Sequence, residues 1–222
     1  MVALILAGGD APDRAYLDRH WPSWSDGREL VIAADGGARH AAALDRRIDL
    51  WVGDGDSTTP TELAALRDAG VEIVAAPTEK DETDTELAIR TALARGADGV
   101  VLLGATGGER IDHELANLAL LAMPQLADVP AVVYTPHSRI VLLRGGASST
   151  IVGRPGDLVS LIPFGGDAEG VTTHGLRYPL AGERLPLGTP RGISNEVLDG
   201  GARVALEGGS MLVVETPGTI DR

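Results

Sequence analysis

The stretch Trp51-Val52-Gly53-Asp54-Gly55-Asp56-Ser57 decides how this chain is read. Two apolar residues close a short strand, and two carboxylates follow, one residue apart, with a glycine on each side of the first. Alternate residues of an extended segment point the same way, so Asp54 and Asp56 are expected to aim at one point. Two ionised carboxylates held together repel each other. A hard cation is the natural neutraliser, and Mg²⁺ typically takes one or two carboxylates together with substrate phosphates. A plain polar turn explains the same residues, since Gly and Asp are ordinary turn formers. The choice between the two readings rests on the rest of the chain.

Outward from this stretch, apolar runs alternate with helical patterns. Strands are expected at 2–7, 30–34, 50–52, 71–75, 99–103 and 129–134, and helices at 11–21, 38–44, 60–69, 83–95 and 111–122. That alternation predicts a mostly parallel sheet with helices on both faces. Five successive strands run into Gly or acidic residues, among them Asp10, Asp35, Asp54, Asp56, Asp81, Asp84 and Asp112. Ligands of open α/β sheets bind outside the carboxyl ends of the strands, so these residues form a candidate rim.

Two further clusters belong to it. In Lys80-Asp81-Glu82-Thr83-Asp84-Thr85-Glu86, Thr83 and Glu86 have capping-box spacing, and acidic residues at a helix start suit the macrodipole without any ligand. Capping does not account for Lys80, the only lysine of the chain, which reads either as an accident of an Arg-rich composition or as a compact point charge for phosphate. In Gly104-Ala105-Thr106-Gly107-Gly108-Glu109-Arg110-Ile111-Asp112-His113, the glycines let backbone approach an anion at a helix start, and Arg110 adds a fork of donors. The run is neither a Walker A loop nor G-x-G-x-x-G. His113 reads equally as a capping, packing or site residue.

After 136 the helical periodicity stops. Short β-like runs at 140–143, 158–161, 170–173, 202–206 and 211–215 predict a small antiparallel sandwich. The fold class is therefore α/β with a smaller all-β sandwich at the C-terminal end, in domains 1–136 and 137–222. A net charge of -13 argues against a nucleic-acid or basic membrane partner, and zero cysteines exclude disulfides and thiolate chemistry. The opening MVALILAGGD reads as a first strand rather than a signal peptide. No apolar run reaches spanning length, so the expected location is cytoplasmic.

Taken in order, Asp35-Gly36-Gly37-Ala38, Gly53-Asp54-Gly55-Asp56-Ser57, the Lys80–Glu86 and Gly104–His113 clusters, and Gly175-Leu176-Arg177-Tyr178-Pro179-Leu180 with Ser194-Asn195-Glu196 resemble the thiamine pyrophosphokinase family nearly end to end. The chain departs from that family at Gly55, where an aromatic residue is usual, and at Val197, where no ring follows Glu196 to stack on thiamine. The resemblance implies pyrophosphoryl transfer from ATP to the thiamine hydroxyl, giving AMP and thiamine diphosphate. It also implies a homodimer, with thiamine where the α/β domain of one subunit meets the sandwich of the other.

On this reading Asp54, Asp56 and Asp84 hold Mg²⁺, and Asp35 or Asp81 accepts the hydroxyl proton. Gly36, Lys80, Thr83, Gly107, Gly108, Arg110, Asp112 and His113 serve the nucleotide, and Ser194, Asn195 and Glu196 contact thiamine. A non-catalytic Mg–ATP sensor, or a pyrophosphokinase for another small alcohol, would use the same scaffold.

Overall fold

A computed structural model describes residues 1–218. The chain divides into two compact units, Met1–Pro136 and His137 onward. The first is built on six strands: β1 (Val2–Leu6), β2 (Arg28–Ala34), β3 (Leu50–Gly53), β4 (Glu72–Ala75), β5 (Gly99–Leu103) and β6 (Ala131–Tyr134). They run parallel in the order β6-β5-β1-β2-β3-β4. Residues 3–7 and 100–103 are almost fully buried, as expected of central strands covered on both faces, and this is why their sequences read as continuous apolar runs rather than alternating ones.

The helices are α1 (Arg14–His20), α2 (Pro60–Asp68), α3 (Asp84–Ala94) and α4 (Ile111–Ala119). Three of the four starts have a local cause, and α4, which follows Arg110, has no side-chain cap. Asp13 caps α1 by accepting from the Tyr16 amide. Thr59 and Glu62 close a reciprocal capping box on α2, with Pro60 in the first turn. Thr83 caps α3 through the Glu86 amide, so α3 begins at Asp84 as its capping pattern requires. Ala88, Ile89 and Ala92 form the buried side of α3; the two alanines let the helix lie close to β2 and β3, against which it packs. Trp21, Trp24 and Trp51 fill a core with Leu4, Leu6 and Leu17. The helix expected at 38–44 is instead a 3-10 segment, Asp35–His40, followed by turns. It has no side-chain N-cap and carries Gly36 and Gly37 in its first turn, which disfavour an α-helix.

One feature of the strand order positions the site. The chain leaves β1 toward β2, β3 and β4, then returns to β5 on the other side of β1. The loops after β1 and β5 therefore part in opposite directions, and a crevice opens between them at the carboxyl edge. Past the strand ends the two loops stay tied: Gly9 donates to the Gly104 carbonyl at 2.7 Å, and Asp10 to the Thr106 carbonyl at 2.7 Å.

The second unit contains β7 (Arg139–Arg144), β8 (Ala147–Thr150), β9 (Leu158–Pro163), β10 (Ala168–His174), β11 (Glu183–Leu185), β12 (Asn195–Glu196), β13 (Arg203–Leu206) and β14 (Ser210–Thr216). Its antiparallel strands form the layers β12-β9-β14-β7 and β11-β10-β13-β8. Val159, Leu161, Met211 and Val213 of the first layer share a core with Val171, Leu185, Val204 and Leu206 of the second. This is the expected sandwich. The polar strand β8 and the very short β11 and β12 escape a reading based on apolar runs.

Candidate active site

A cleft of ≈ 470 Å³ lies at the carboxyl edge of the first unit's sheet. Its floor is set by register. Ala34 of β2 pairs with Val52 of β3, so Asp35 comes level with Gly53 and adjacent to Asp54. The approach is close: a Cβ on Gly53 would sit 2.9 Å from the Asp35 Cβ. Asp35 has a φ of 40°, and its carboxylate accepts from the Ser57 amide at 2.9 Å and the Thr58 hydroxyl at 2.8 Å. Asp84, at the start of α3, completes a group in which Asp35, Asp54 and Asp84 each offer an oxygen within 4.8 Å of the others.

Lys80 lies among these carboxylates. Its Nζ is 2.7 Å from Asp54 Oδ2 and 3.1 Å from Asp84 Oδ1. The Lys80 and Asp54 side chains are only 11% and 9% exposed, so little solvent screens the pair. The Lys80 hydrogen bond holds the Asp54 carboxyl below the usual range, against the opposing effect of burial. Burial pushes Asp84 up in spite of Lys80, and Asp54 and Asp35 add to the shift. Burial also raises Asp35, the Thr58 and Ser57 hydrogen bonds oppose it, and nearby Asp56 adds to it. For Lys80 burial works downward, but the neighbouring carboxylates of Asp54 and Asp84 outweigh it and its pKa is raised.

The three-carboxylate group differs from the expected metal set in one member. Asp54 and Asp84 are in the cluster, but Asp35 rather than Asp56 joins them. Gly55 has a φ of 79°, which breaks the extended backbone on which same-side alternation depends. Asp56 accepts from the Ser57 hydroxyl at 2.9 Å instead. It still lines the cleft.

Of the residues singled out in the sequence, Asp35, Gly36, Lys80, Thr83, Asp84, Gly107, Gly108, Arg110 and His113 line the cleft, whereas Asp81 and Asp112 do not. Asp81 is exposed. Asp112 forms a fork with Arg110, at 3.2 Å from Nε and 2.5 Å from Nη2, so the charge of Arg110 is met locally. Two residues missed in the sequence stand beside them. Arg39 lines the cleft and donates through Nη2 to the Gly8 and Gly9 carbonyls. Asn117 ties α4 to the Ala105 carbonyl at 2.9 Å. Arg39 and Asp35 share one 3-10 turn, and that short spacing was the available signal.

Ser194, Asn195 and Glu196 lie in the second unit, where the side chains of Asn195 and Glu196 are engaged and Ser194 is exposed. The Asn195 side chain is buried; it accepts from the Tyr178 and Glu196 amides at 2.9 Å each and donates to the Tyr178 carbonyl at 2.7 Å. Glu196 pairs with Arg177 at 2.8 Å. The Ser194 amide donates to Ser160 Oγ at 3.0 Å. Asn195 is thus a clamp on Tyr178, whose side chain is 63% exposed, rather than an open hydrogen-bonding edge.

The cleft is chemically suited to a hard divalent cation. Its donors are carboxylate oxygens, and Asp84 Oδ1 is buried with no hydrogen-bond partner, although Lys80 lies within ion-pair distance. Carboxylates also predominate on the lining, where Asp35, Asp54, Asp56, Glu82, Asp84, Glu109 and Glu114 face Arg39, Lys80 and Arg110. Such a cleft needs added positive charge before it can hold a polyphosphate.

Comparison with known proteins bears on the whole chain. A sequence model described as "Thiamin pyrophosphokinase, catalytic domain" matches residues 22–133, and one described as "Thiamin pyrophosphokinase, vitamin B1 binding domain" matches residues 149–211. The chain is 29% identical over 216 residues to a protein of Bacillus subtilis named thiamine pyrophosphokinase, covering 96% of this chain and 97% of that one. The crystal structure of thiamine pyrophosphokinase from Bacillus subtilis is similar with a TM-score of 0.83 and 27% identity, covering 98% of this chain and 99% of the other. A thiamin pyrophosphokinase family protein from Enterococcus faecalis gives a TM-score of 0.79 at 28% identity, with coverage of 98% and 99%.

Proposed function

The chain belongs to the thiamine pyrophosphokinase family, and on that footing we infer that it moves the β- and γ-phosphoryl groups of ATP, as one unit, onto the hydroxyl of thiamine. The observation that carries the site assignment is the Asp35–Asp54–Asp84 group with Lys80 beside it. The hydroxyl oxygen forms a bond to the β-phosphorus. The bond from that phosphorus to the α,β-bridging oxygen breaks, and its electron pair leaves with AMP.

Mg²⁺ is the fitting ion; Asp54 and Asp84 would hold it, and it would supply neutralisation of charge on the transferred group. Since Mg²⁺ typically takes one or two protein carboxylates, Asp35 is left to accept the hydroxyl proton, and its burial-raised pKa suits a base. Asp81, exposed and off the lining, is not placed for that role. Lys80 compensates the carboxylates, and the backbone of Gly107 and Gly108 offers the phosphates a close approach.

Thiamine recognition is assigned to the second unit, supported by the match of residues 149–211 to a vitamin B1 binding domain. Tyr178, exposed and clamped by Asn195, is a ring suited to stack on a flat heterocycle. The protein is further proposed to work as a cytoplasmic homodimer. Among the described residues no helix is long and apolar enough to cross a membrane.

The test is AMP release from ATP and Mg²⁺, with and without thiamine. Thiamine-dependent AMP with thiamine diphosphate supports the reading. ADP with thiamine monophosphate, or nucleotide binding without turnover, contradicts it.

A further inference from the structure

We propose that Arg39 is the side chain that grips the phosphate chain of the nucleotide, leaving its resting place on the Gly8 and Gly9 carbonyls to do so. The proposal rests on the reading of the cleft as an ATP site, and deepens it. Three cations line the cleft, and two are already committed to carboxylates. Lys80 is shared between Asp54 and Asp84, and Arg110 is forked onto Asp112. Arg39 is bonded only to neutral carbonyl oxygens among the described residues. Hydrogen bonds from guanidinium to phosphate are charge-assisted and about twice as strong as those between neutral groups, so exchanging carbonyls for phosphate is the favourable direction for Arg39. For Lys80 or Arg110 the same exchange would break an ion pair.

Position supports this assignment. Gly8 and Gly9 follow β1 at the crevice beside β5, where the strand order reverses. Their carbonyl oxygens would repel an approaching phosphate, and Arg39 lies over them. The loop does not depend on Arg39 alone. His40 Nε2 lies 2.8 Å from the Gly9 carbonyl, and since a carbonyl only accepts, the ring donates there whether or not Arg39 stays. The Gly9 amide is separately fixed on the Gly104 carbonyl. Arg39 can therefore move without releasing the loop.

The test is calorimetric titration of wild type, Arg39→Gln and Arg39→Lys with α,β-methylene-ATP and with AMP, each with Mg²⁺. Arg39→Gln is expected to weaken the triphosphate analogue by about tenfold or more, roughly 1.4 kcal/mol, and AMP by less than about twofold, with Arg39→Lys in between. A purely structural role would weaken both ligands alike, and that result overturns the proposal, as does an unchanged preference for the triphosphate. Wild type that turns over ATP while Arg39→Gln keeps its preference removes Arg39 only. Wild type that binds neither ligand removes the ATP reading, and this proposal with it.

Discussion

Asp54 is held on both oxygens, by Lys80 at 2.7 Å and by the Asp56 amide at 3.1 Å. Asp56, with its carboxylate on Ser57, lies outside the three-carboxylate group. The two aspartates should therefore respond differently. Asp54→Asn is expected to cut kcat by about a hundredfold or more and Asp56→Asn by less than about tenfold, read from thiamine-dependent AMP release at saturating Mg²⁺. Equal losses would return Asp56 to the metal set. Asp54 and Asp84 have opposite pH signatures. Because the folded pKa of Asp54 is lowered, its stabilisation is present above the unfolded value of about 3.9 and is lost as pH falls through the folded value. Asp84 has the opposite sign: its raised pKa means that ionisation costs stability above its folded value. The paired carboxylates were legible because Gly-Asp-Gly-Asp follows an apolar strand. The membership of Asp35 was not, because it depends on β2 and β3 being neighbours and on the φ of Gly55, neither of which is written locally. Arg39 was missed for a related reason: its place over the Gly8 and Gly9 carbonyls joins loops 30 residues apart or more.

At the scale of elements, β12 is two residues long and pairs with β9, yet it anchors the 177–180 segment through Asn195. Three hydrogen bonds run from that one buried amide, two of them to Tyr178. Asn195→Ala would leave the Tyr178 amide and carbonyl without those partners and is expected to cost about 1–3 kcal/mol of stability. It should also raise the thiamine KM through the displaced ring, with the ATP KM unchanged. Paired denaturation and two-substrate kinetics check this. A raised thiamine KM at unchanged stability would mean that Asn195 touches thiamine itself and does not act through Tyr178. From the sequence, residues 175–196 read as a long irregular stretch worth attention, but the clamp could not be seen, since a buried Asn and a solvated one look the same in a string of letters. The α/β half was easier to read: its strands are continuous apolar runs, and Thr59 and Thr83 are recognisable caps for α2 and α3, whereas the first helix, expected at 11–21, begins only at Arg14 after its Asp13 cap. The stretch 38–44 reads as a helix because Ala38, Ala41, Ala42 and Ala43 favour one, while Gly36 and Gly37 just before it favour a tight turn.

At the scale of the whole molecule, the chain is acidic, and a group of its carboxylates lines one cleft at the carboxyl edge of one sheet. Light scattering is expected to give twice the chain mass of 23.0 kDa, and a monomer that turns over thiamine at full rate would remove the homodimer from the account. The concentration of carboxylates around Lys80 is the feature on which the functional reading turns. If it exists to hold a cation, it should cost stability when that cation is absent, as paired buried carboxylates do. The most direct measurement is Mn²⁺ binding, as a paramagnetic stand-in for Mg²⁺, followed by electron paramagnetic resonance on wild type and Asp84→Asn, with the metal-free melting temperature of each. The account predicts that Asp84→Asn binds Mn²⁺ weaker by about tenfold or more while melting at or above the wild-type temperature without metal. Equal Mn²⁺ affinity in the two proteins would contradict it.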